Sequence, residues 1–217
     1  MRHRAGVTAV VGLLLACSHA SLAAQDMAAM EPGHRHMSFT APRPGTAADT
    51  ARALAVMHTL RTAITRYPSL AAAESAGYRS RLPEDMQQRR RMLHLGRPGS
   101  RAGTAEFDPT SPQALLYRRD DEGRFQLAGA MFVAPDGATE DDLDARIPLS
   151  VAQWHRHTNV CRGPRGEMKP RYLRATTQSA CEAVGGRFRR ESRYMVHVMV
   201  DAGDDLAAAF PQRPDRD

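Results

Sequence analysis

The sequence predicts an α+β protein in which N-terminal helices pack on a mostly antiparallel β-sheet, with one disulfide. Three observations predict this class: apolar residues recur at helical spacing in the first half of the chain, later segments alternate in polarity as strands do, and no internal repeat marks a second domain. Of the 217 residues, about 190 remain once an N-terminal targeting segment is set aside. That length is enough for one domain with a proper core, which we place at residues 46–205.

Residues 1–24 have the pattern of an export signal. Arg2 and Arg4 form a basic start, and an apolar segment too short to span a bilayer follows from Ala5 to Ala16. Two processing routes fit: cleavage near Ala24, or lipidation of Cys17, which ends a Leu-Leu-Ala-Cys motif. We therefore expect a periplasmic or secreted protein, with lipid anchoring in the envelope through Cys17 as the alternative.

Residues 25–45 have no apolar periodicity, so we predict a flexible leader. The leader combines thioether and imidazole side chains, which together suit copper, because methionine favours the cuprous ion. The candidate auxiliary metal ligands in it are Met27, Met30, His34, His36 and Met37. The alternative is a low-complexity linker that binds soft ions only weakly.

Three helices are predicted next. Thr46 and Asp49 resemble an N-cap with an acidic first turn, and apolar residues at helical spacing then extend to about Arg66, before Pro68. Ser69 caps a second, alanine-rich helix that ends at Gly77. The third helix is predicted over residues 83–91, since proline suits a first turn.

Strands dominate the second half of the chain. Residues 114–119 and 124–134 bracket an Asp-Asp-Glu-Gly turn and predict a hairpin, in which Gly129 indicates a bulge or a close backbone contact. A histidine-containing strand is predicted between Val151 and Cys161, and a final strand from about Phe188 to Val200. Residues 206–217 are predicted to be a polar tail with one amphipathic turn from Leu206 to Phe210.

Cys161 and Cys181 form an even pair once Cys17 is removed or lipidated. In an oxidising compartment such a pair favours a disulfide, which would close a loop of roughly 20 residues and contribute about 3 kcal/mol on the chain-entropy model. The rival role for Cys161 is a thiolate ligand or a nucleophile beside His157.

The strand pattern places imidazoles on shared faces. His155 and His157 lie two residues apart and therefore point to the same side of a strand. His197 shares its face with Met195 and Met199, and these two methionines are further auxiliary candidates. His94, between two leucines, is a third or fourth ligand. Nitrogen ligands in this number suit a transition metal, of which copper and zinc lead; the alternative is that the histidines are structural.

The chain resembles a group of exported bacterial proteins of unassigned function. The resemblance covers roughly Thr50 to Asp201 and rests on the segments TRYPSLAAAESAGY, Met92-Leu93-His94, ALLYRRDDEGRFQLAGAMFVAP, the histidine strand and the late MVHV strand. It implies that His94 and His197 belong to one constellation. It implies no reaction and no ligand.

Binding, buffering or delivery of a metal ion is the function we expect, because no acid, base or nucleophile stands out beside the histidines. A small periplasmic metalloenzyme is the alternative: the His-x-His pattern resembles half of a cupin motif, although Asn159 to Cys161 stand where a cupin has a glutamate. A second alternative is an envelope accessory protein with structural histidines. The net charge falls from +6 to +4 without Arg2 and Arg4. Export and the lack of aromatic residues within Arg89–Arg91 argue against a nucleic-acid partner.

Overall fold

Seven strands form one antiparallel sheet. The computed structural model describes residues 37–98 and 106–211. The strands are β1 (Met37–Phe39), β2 (Met92–Gly96), β3 (Ala114–Arg119), β4 (Phe125–Val133), β5 (His155–Arg162), β6 (Arg187–Glu191) and β7 (Met195–Met199). Their order in the sheet is β1-β5-β7-β4-β3-β2, with β6 paired to the far part of β5. Every pairing is antiparallel and the sheet is curled, so the predicted fold class is confirmed.

Short helices connect and flank the strands. They are α1 (Ala47–Ile64), α2 (Leu70–Ser75), α3 (Glu84–Gln87), α4 (Glu140–Arg146), α5 (Pro170–Leu173), α6 (Gln178–Ala183) and α7 (Leu206–Ala209). The first begins at a capping box, in which the Thr46 hydroxyl accepts from the Asp49 amide while the Asp49 carboxylate accepts from the Thr46 amide. Ser69 and Thr177 cap α2 and α6 in the same side-chain-to-backbone manner. No helix within the described ranges is long and apolar enough to cross a membrane.

One large apolar cluster forms the main core. Alternate residues of the strands face it, among them Leu93, Leu115 and Val196, and α1 contributes the fully buried Met57 and Leu60 to the same cluster. The remaining alternate residues of the same strands face the other side of the sheet. One face of the sheet therefore carries the main core, and the opposite face carries a separate set of side chains.

The hairpin of β3 and β4 contains the predicted irregularity. The pairing register shifts between Leu116 and Tyr117, so that Ala128 is an extra residue on β4. A Cβ atom at the adjacent Gly129 would lie 2.1 Å from the carbonyl oxygen of Val198, so only glycine allows β7 this close. A bulge of this kind increases local twist and bends the strand.

Three sequence expectations are wrong in detail. The predicted strand from Phe188 to Val200 is two strands, because the chain breaks after β6; β6 pairs with β5, whereas β7 pairs mainly with β4 and meets β5 only at Met195. The predicted flexible leader ends earlier than residue 45, since Met37–Phe39 pairs with β5. The predicted tail begins later than residue 206, because α7 and Phe210 belong to the core and Phe210 is only 1% exposed. Residues 1–36, with the predicted signal and most of the leader, lie outside the described part, as do residues 212–217.

Candidate metal centre

Four histidines from three strands come together on the sheet face opposite the main core. His94 lies on β2, His155 and His157 on β5, and His197 on β7. The ring centroids are 5.1 Å apart for His94 and His197, 5.2 Å for His155 and His197, and 5.8 Å for His155 and His157. The four rings form a continuous group in which His197 contacts both His94 and His155.

Curling of the sheet brings His94 to His197. Their strands β2 and β7 are separated by β3 and β4, and three steps of about 4.8 Å would place them about 14 Å apart in a flat sheet. Side chains that stand perpendicular to a flat sheet would keep that separation. The two rings nevertheless touch, so the sheet curls around the face that carries the histidines.

The spacing of the His94 and His197 rings matches that of two ligands on one metal ion. The Nε2 atoms of His94 and His197 are 3.3 Å apart. With metal–nitrogen bonds of about 2.0–2.1 Å and tetrahedral angles, two ligating nitrogens lie about 3.3 Å apart and the centroids of their rings about 5.2 Å apart. The same distance also allows an N–H···N hydrogen bond between two neutral rings of opposite tautomer.

Burial keeps these rings neutral, which is the form that binds metals. Removal from water lowers the pKa of His94 to about 4, with the positive charge of Arg90 as the smaller cause. It lowers the pKa of His155 to about 3, with His157 and His94 contributing, and that of His197 well below the usual range. The charged groups that act on these three pKa values are other histidines and Arg90; none of them, within the described ranges, is an acid.

The surrounding backbone fixes the β5 histidines. The ring of Phe39 on β1 lies 5.8 Å from that of His155, which is only 4% exposed. Ser192 holds the strand at His157 from both directions: its hydroxyl oxygen accepts from the His157 amide at 2.8 Å, and its amide donates to the His157 carbonyl at 2.7 Å. The strand that carries the two imidazoles is therefore held by packing against Phe39 and by hydrogen bonds to Ser192.

The arrangement is incomplete as a metal site in this conformation. Among residues 37–98 and 106–211, no group of three or more His, Cys, Asp or Glu side chains is placed so that it could hold a metal ion. The Nε2 atoms of His94 and His197 are at ligand spacing. The His155 ring is close to them, but neither of its nitrogens completes a set of three ligands. Rotation of the His155 ring about Cβ–Cγ exchanges its nitrogen and carbon positions, and this torsion is broad for imidazoles.

Methionines share this face with the histidines. Direct cross-strand neighbours lie on one face of a sheet, and the register pairs Met37 with His157, Met195 with His155 and Met131 with His197. Met199 is buried with Met92, Leu116 and Ala128 in a small apolar cluster beside the histidines. Of the predicted auxiliary ligands, Met37, Met195 and Met199 thus lie on the histidine face. The other auxiliary candidates, Met27, Met30, His34 and His36, lie outside the described residues, as does Cys17, the predicted lipidation site.

Sequence reasoning missed Met131. Its segment reads as a uniformly apolar strand, and only the two-residue alternation through Gly129, Met131 and Val133 marks the face. That Met131 stands opposite His197 depends on the pairing of β4 with β7, and nothing in the local sequence specifies this pairing.

The cysteines form the predicted disulfide. The Sγ atoms of Cys161 and Cys181 are 2.03 Å apart, and the bond ties α6 to β5. Cys161 is therefore not a thiolate ligand or a nucleophile beside His157, and that alternative is wrong. Gly186 packs directly on the bridge, since a Cβ atom there would lie 2.5 Å from the Cys161 sulfur.

Comparison with known proteins assigns no family to this arrangement of side chains. No protein-family model matches the chain, and neither the search of curated proteins nor the search of solved structures found a match.

Proposed function

We propose that this chain is an exported protein that binds a transition metal ion, copper or zinc, through His94, His155, His157 and His197, and that it buffers or delivers the ion. One observation carries the proposal: His94 and His197, on strands that a flat sheet would keep far apart, have Nε2 atoms 3.3 Å apart. That distance is the one required of two nitrogens on one tetrahedral ion.

The electrostatics of the group support the same function. Four clustered imidazoles, one buried and three half-buried, are costly to protonate, because each cation would lose hydration and repel its neighbours. The lowered pKa values of His94 and His155 mean that the lone pairs are available at neutral pH. A metal ion uses those lone pairs, and imidazole is the commonest metal ligand.

Binding of the ion requires a small rearrangement. His94 and His197 supply the first two nitrogens where they stand, and a rotation of His155 supplies a third from a ring centroid 5.2 Å away from that of His197. His157, whose centroid is 5.8 Å from that of His155, is the fourth. The rotation that we propose for His155 changes only side-chain torsions.

Two features support the exported location that we propose. The basic and apolar start of the sequence is typical of a signal segment, and the disulfide between Cys161 and Cys181 is typical of an oxidising compartment. The resemblance to exported bacterial proteins is in keeping with this location. Whether the segment is cleaved near Ala24 or lipidated at Cys17 is tested by mass spectrometry of the mature N-terminus.

Elemental analysis tests the proposal directly. Protein purified without chelator and then dialysed is expected to contain near-stoichiometric copper or zinc, and His197→Ala, which removes the central ring, is expected to lose it. His58→Ala is the matched control, since His58 lies outside the cluster and pairs with Asp204 on the surface. A wild-type protein that retains no metal, and whose thermal stability does not change on addition of zinc or copper, contradicts the proposal and favours the envelope accessory alternative.

A further inference from the structure

The sheet face that carries the histidines is also lined by methionines. Five of them occupy positions on this face by register or by two-residue alternation: Met37, Met92, Met131, Met195 and Met199. Two of the five, Met92 and Met199, are buried in the small apolar cluster with Leu116 and Ala128. The other three are only partly buried, and each is the direct cross-strand neighbour of a histidine.

Met131 is the methionine that pairs directly with His197 in the sheet. It lies on β4, between the strand that carries His197 and the strands that lead to His94. Because the sheet curls until those two rings touch, the face of β4 lies beneath their contact. The Cβ atoms of direct cross-strand neighbours are about 4.5–5.5 Å apart. The thioether sulfur of Met131 lies two bonds beyond its Cβ atom, which places it within reach of an ion bound to the His197 nitrogen.

The direct neighbours of Met131 in the sheet are small. Ala114 is its cross-strand partner on β3, and Gly129 is the next residue along β4 on the same face. Met131 also packs against the small apolar cluster, and its unbranched thioether is a side chain that adapts to irregular packing.

The charge of the site distinguishes between candidate ions. The histidines and methionines are neutral ligands, and among the residues that the structure describes no acid shifts the pKa values of His94, His155 and His197. The desolvation cost of an ion rises with the square of its charge, so a buried dication with only neutral ligands costs about four times as much as a monocation. Thioether ligands add a preference for soft ions, of which cuprous copper is the biological example.

We propose that the ion bound at this site is cuprous copper, and that the Met131 thioether completes the coordination that His94 and His197 begin. Met195 and Met37, opposite His155 and His157, extend the thioether set toward the β1 side of the sheet. This inference rests on the proposed metal-binding function and names its ion and an additional ligand.

Anaerobic competition with a chromophoric copper(I) chelator such as bicinchoninate tests the inference on the mature, disulfide-bonded protein. Met131→Leu is expected to weaken copper(I) binding by about tenfold or more while changing zinc affinity by less than about threefold, because leucine keeps the packing and removes only the soft donor. Met92→Leu is the matched control: the same substitution on the same face, but opposite Arg118 instead of a histidine. Its copper(I) affinity is expected to equal that of the wild type.

X-ray absorption at the copper edge gives a second measurement that does not depend on affinity. The copper(I)-loaded wild type is expected to show a sulfur scatterer that is lost or reduced in Met131→Leu, while far-ultraviolet circular dichroism shows that the variant is folded. A nitrogen-only first shell in the wild type, or unchanged copper(I) affinity in Met131→Leu, overturns the inference and leaves the proposed function standing. A wild type that binds neither copper(I) nor zinc overturns the proposed function itself.

Discussion

Acidification is expected to destabilise the metal-free protein well above the pH at which its carboxylates titrate. Burial lowers the pKa of His94 to about 4 and that of His155 to about 3, whereas a histidine in the unfolded chain titrates near 6.5. At pH values between the folded and the unfolded pKa, the unfolded chain is protonated at these histidines and the folded chain is not. The stability associated with neutral histidines is therefore fully present above about pH 7 and is lost as the pH falls toward 4 and 3.

The expected loss is large for a domain of this size. Between pH 7.5 and pH 5, a histidine whose pKa drops from 6.5 in the unfolded chain to 4 or 3 in the folded chain costs about 2 kcal/mol of unfolding free energy. His94 and His155 together give about 4 kcal/mol, and His197, whose pKa is lowered in the same direction, adds to it. A typical domain has about 5–15 kcal/mol in all, so the effect is a substantial fraction of the total.

Guanidinium denaturation in the presence of a chelator measures this loss at pH 7.5, 6 and 5. The variant His94→Leu removes one titrating ring beside its apolar neighbour Leu116, and its loss between pH 7.5 and 5 is expected to be smaller than that of the wild type by about 2 kcal/mol. His58→Ala, on the exposed surface of α1, is the control: its ring lies outside the cluster, so the loss produced by His94 and His155 is expected to remain. An equal pH dependence in His94→Leu and wild type would refute the claim that this half-buried ring is kept neutral.

Three further changes test the framework that positions the site. The double variant Cys161→Ala/Cys181→Ala opens a loop with a sequence separation of 20 and is expected to lose about 3 kcal/mol, measured by denaturation with and without reductant. Tyr117→Phe removes a buried hydroxyl that donates to a backbone carbonyl at 2.8 Å, and a loss of about 1–2 kcal/mol is expected by the same assay. Gly129→Ala places a Cβ atom 2.1 Å from the Val198 carbonyl oxygen; we expect β4 and β7 to separate, with a loss of about 1–3 kcal/mol in denaturation and weaker metal binding by competition.

Local signals predicted the elements better than their arrangement. The caps at Thr46, Ser69 and Thr177 and the turn at Gly123 follow from hydrogen bonds and backbone conformations within a few residues, so the sequence indicates them directly. The break at Ser192 was not predicted, because alternation continues across it in the sequence. What distinguishes β7 from β6 is its long pairing with β4, which no local pattern of the sequence specifies.

The candidate site shows the same division. His155 and His157 share a face by simple two-residue alternation, and the sequence therefore predicts them as a pair. His94 and His197 are 103 positions apart in the chain, and their contact depends on strand order and on curl. The place of Met131 depends on both of these and on the register of β4 against β7, so no reading of its own segment could have assigned it to the site.

The bulge connects the fold to the site through the curl of the sheet. The shift at Leu116 and Tyr117 lies in the hairpin between the strand of His94 and the strand of His197, which is where bending has the greatest effect on the distance between those two rings. Gly129, directly opposite Leu116, lets β7 approach at the same level. A straight β3–β4 hairpin is expected to move His94 away from His197. Deletion of Ala128, the extra residue, removes the bulge while Leu127 stays opposite Tyr117, and it is therefore expected to weaken metal binding.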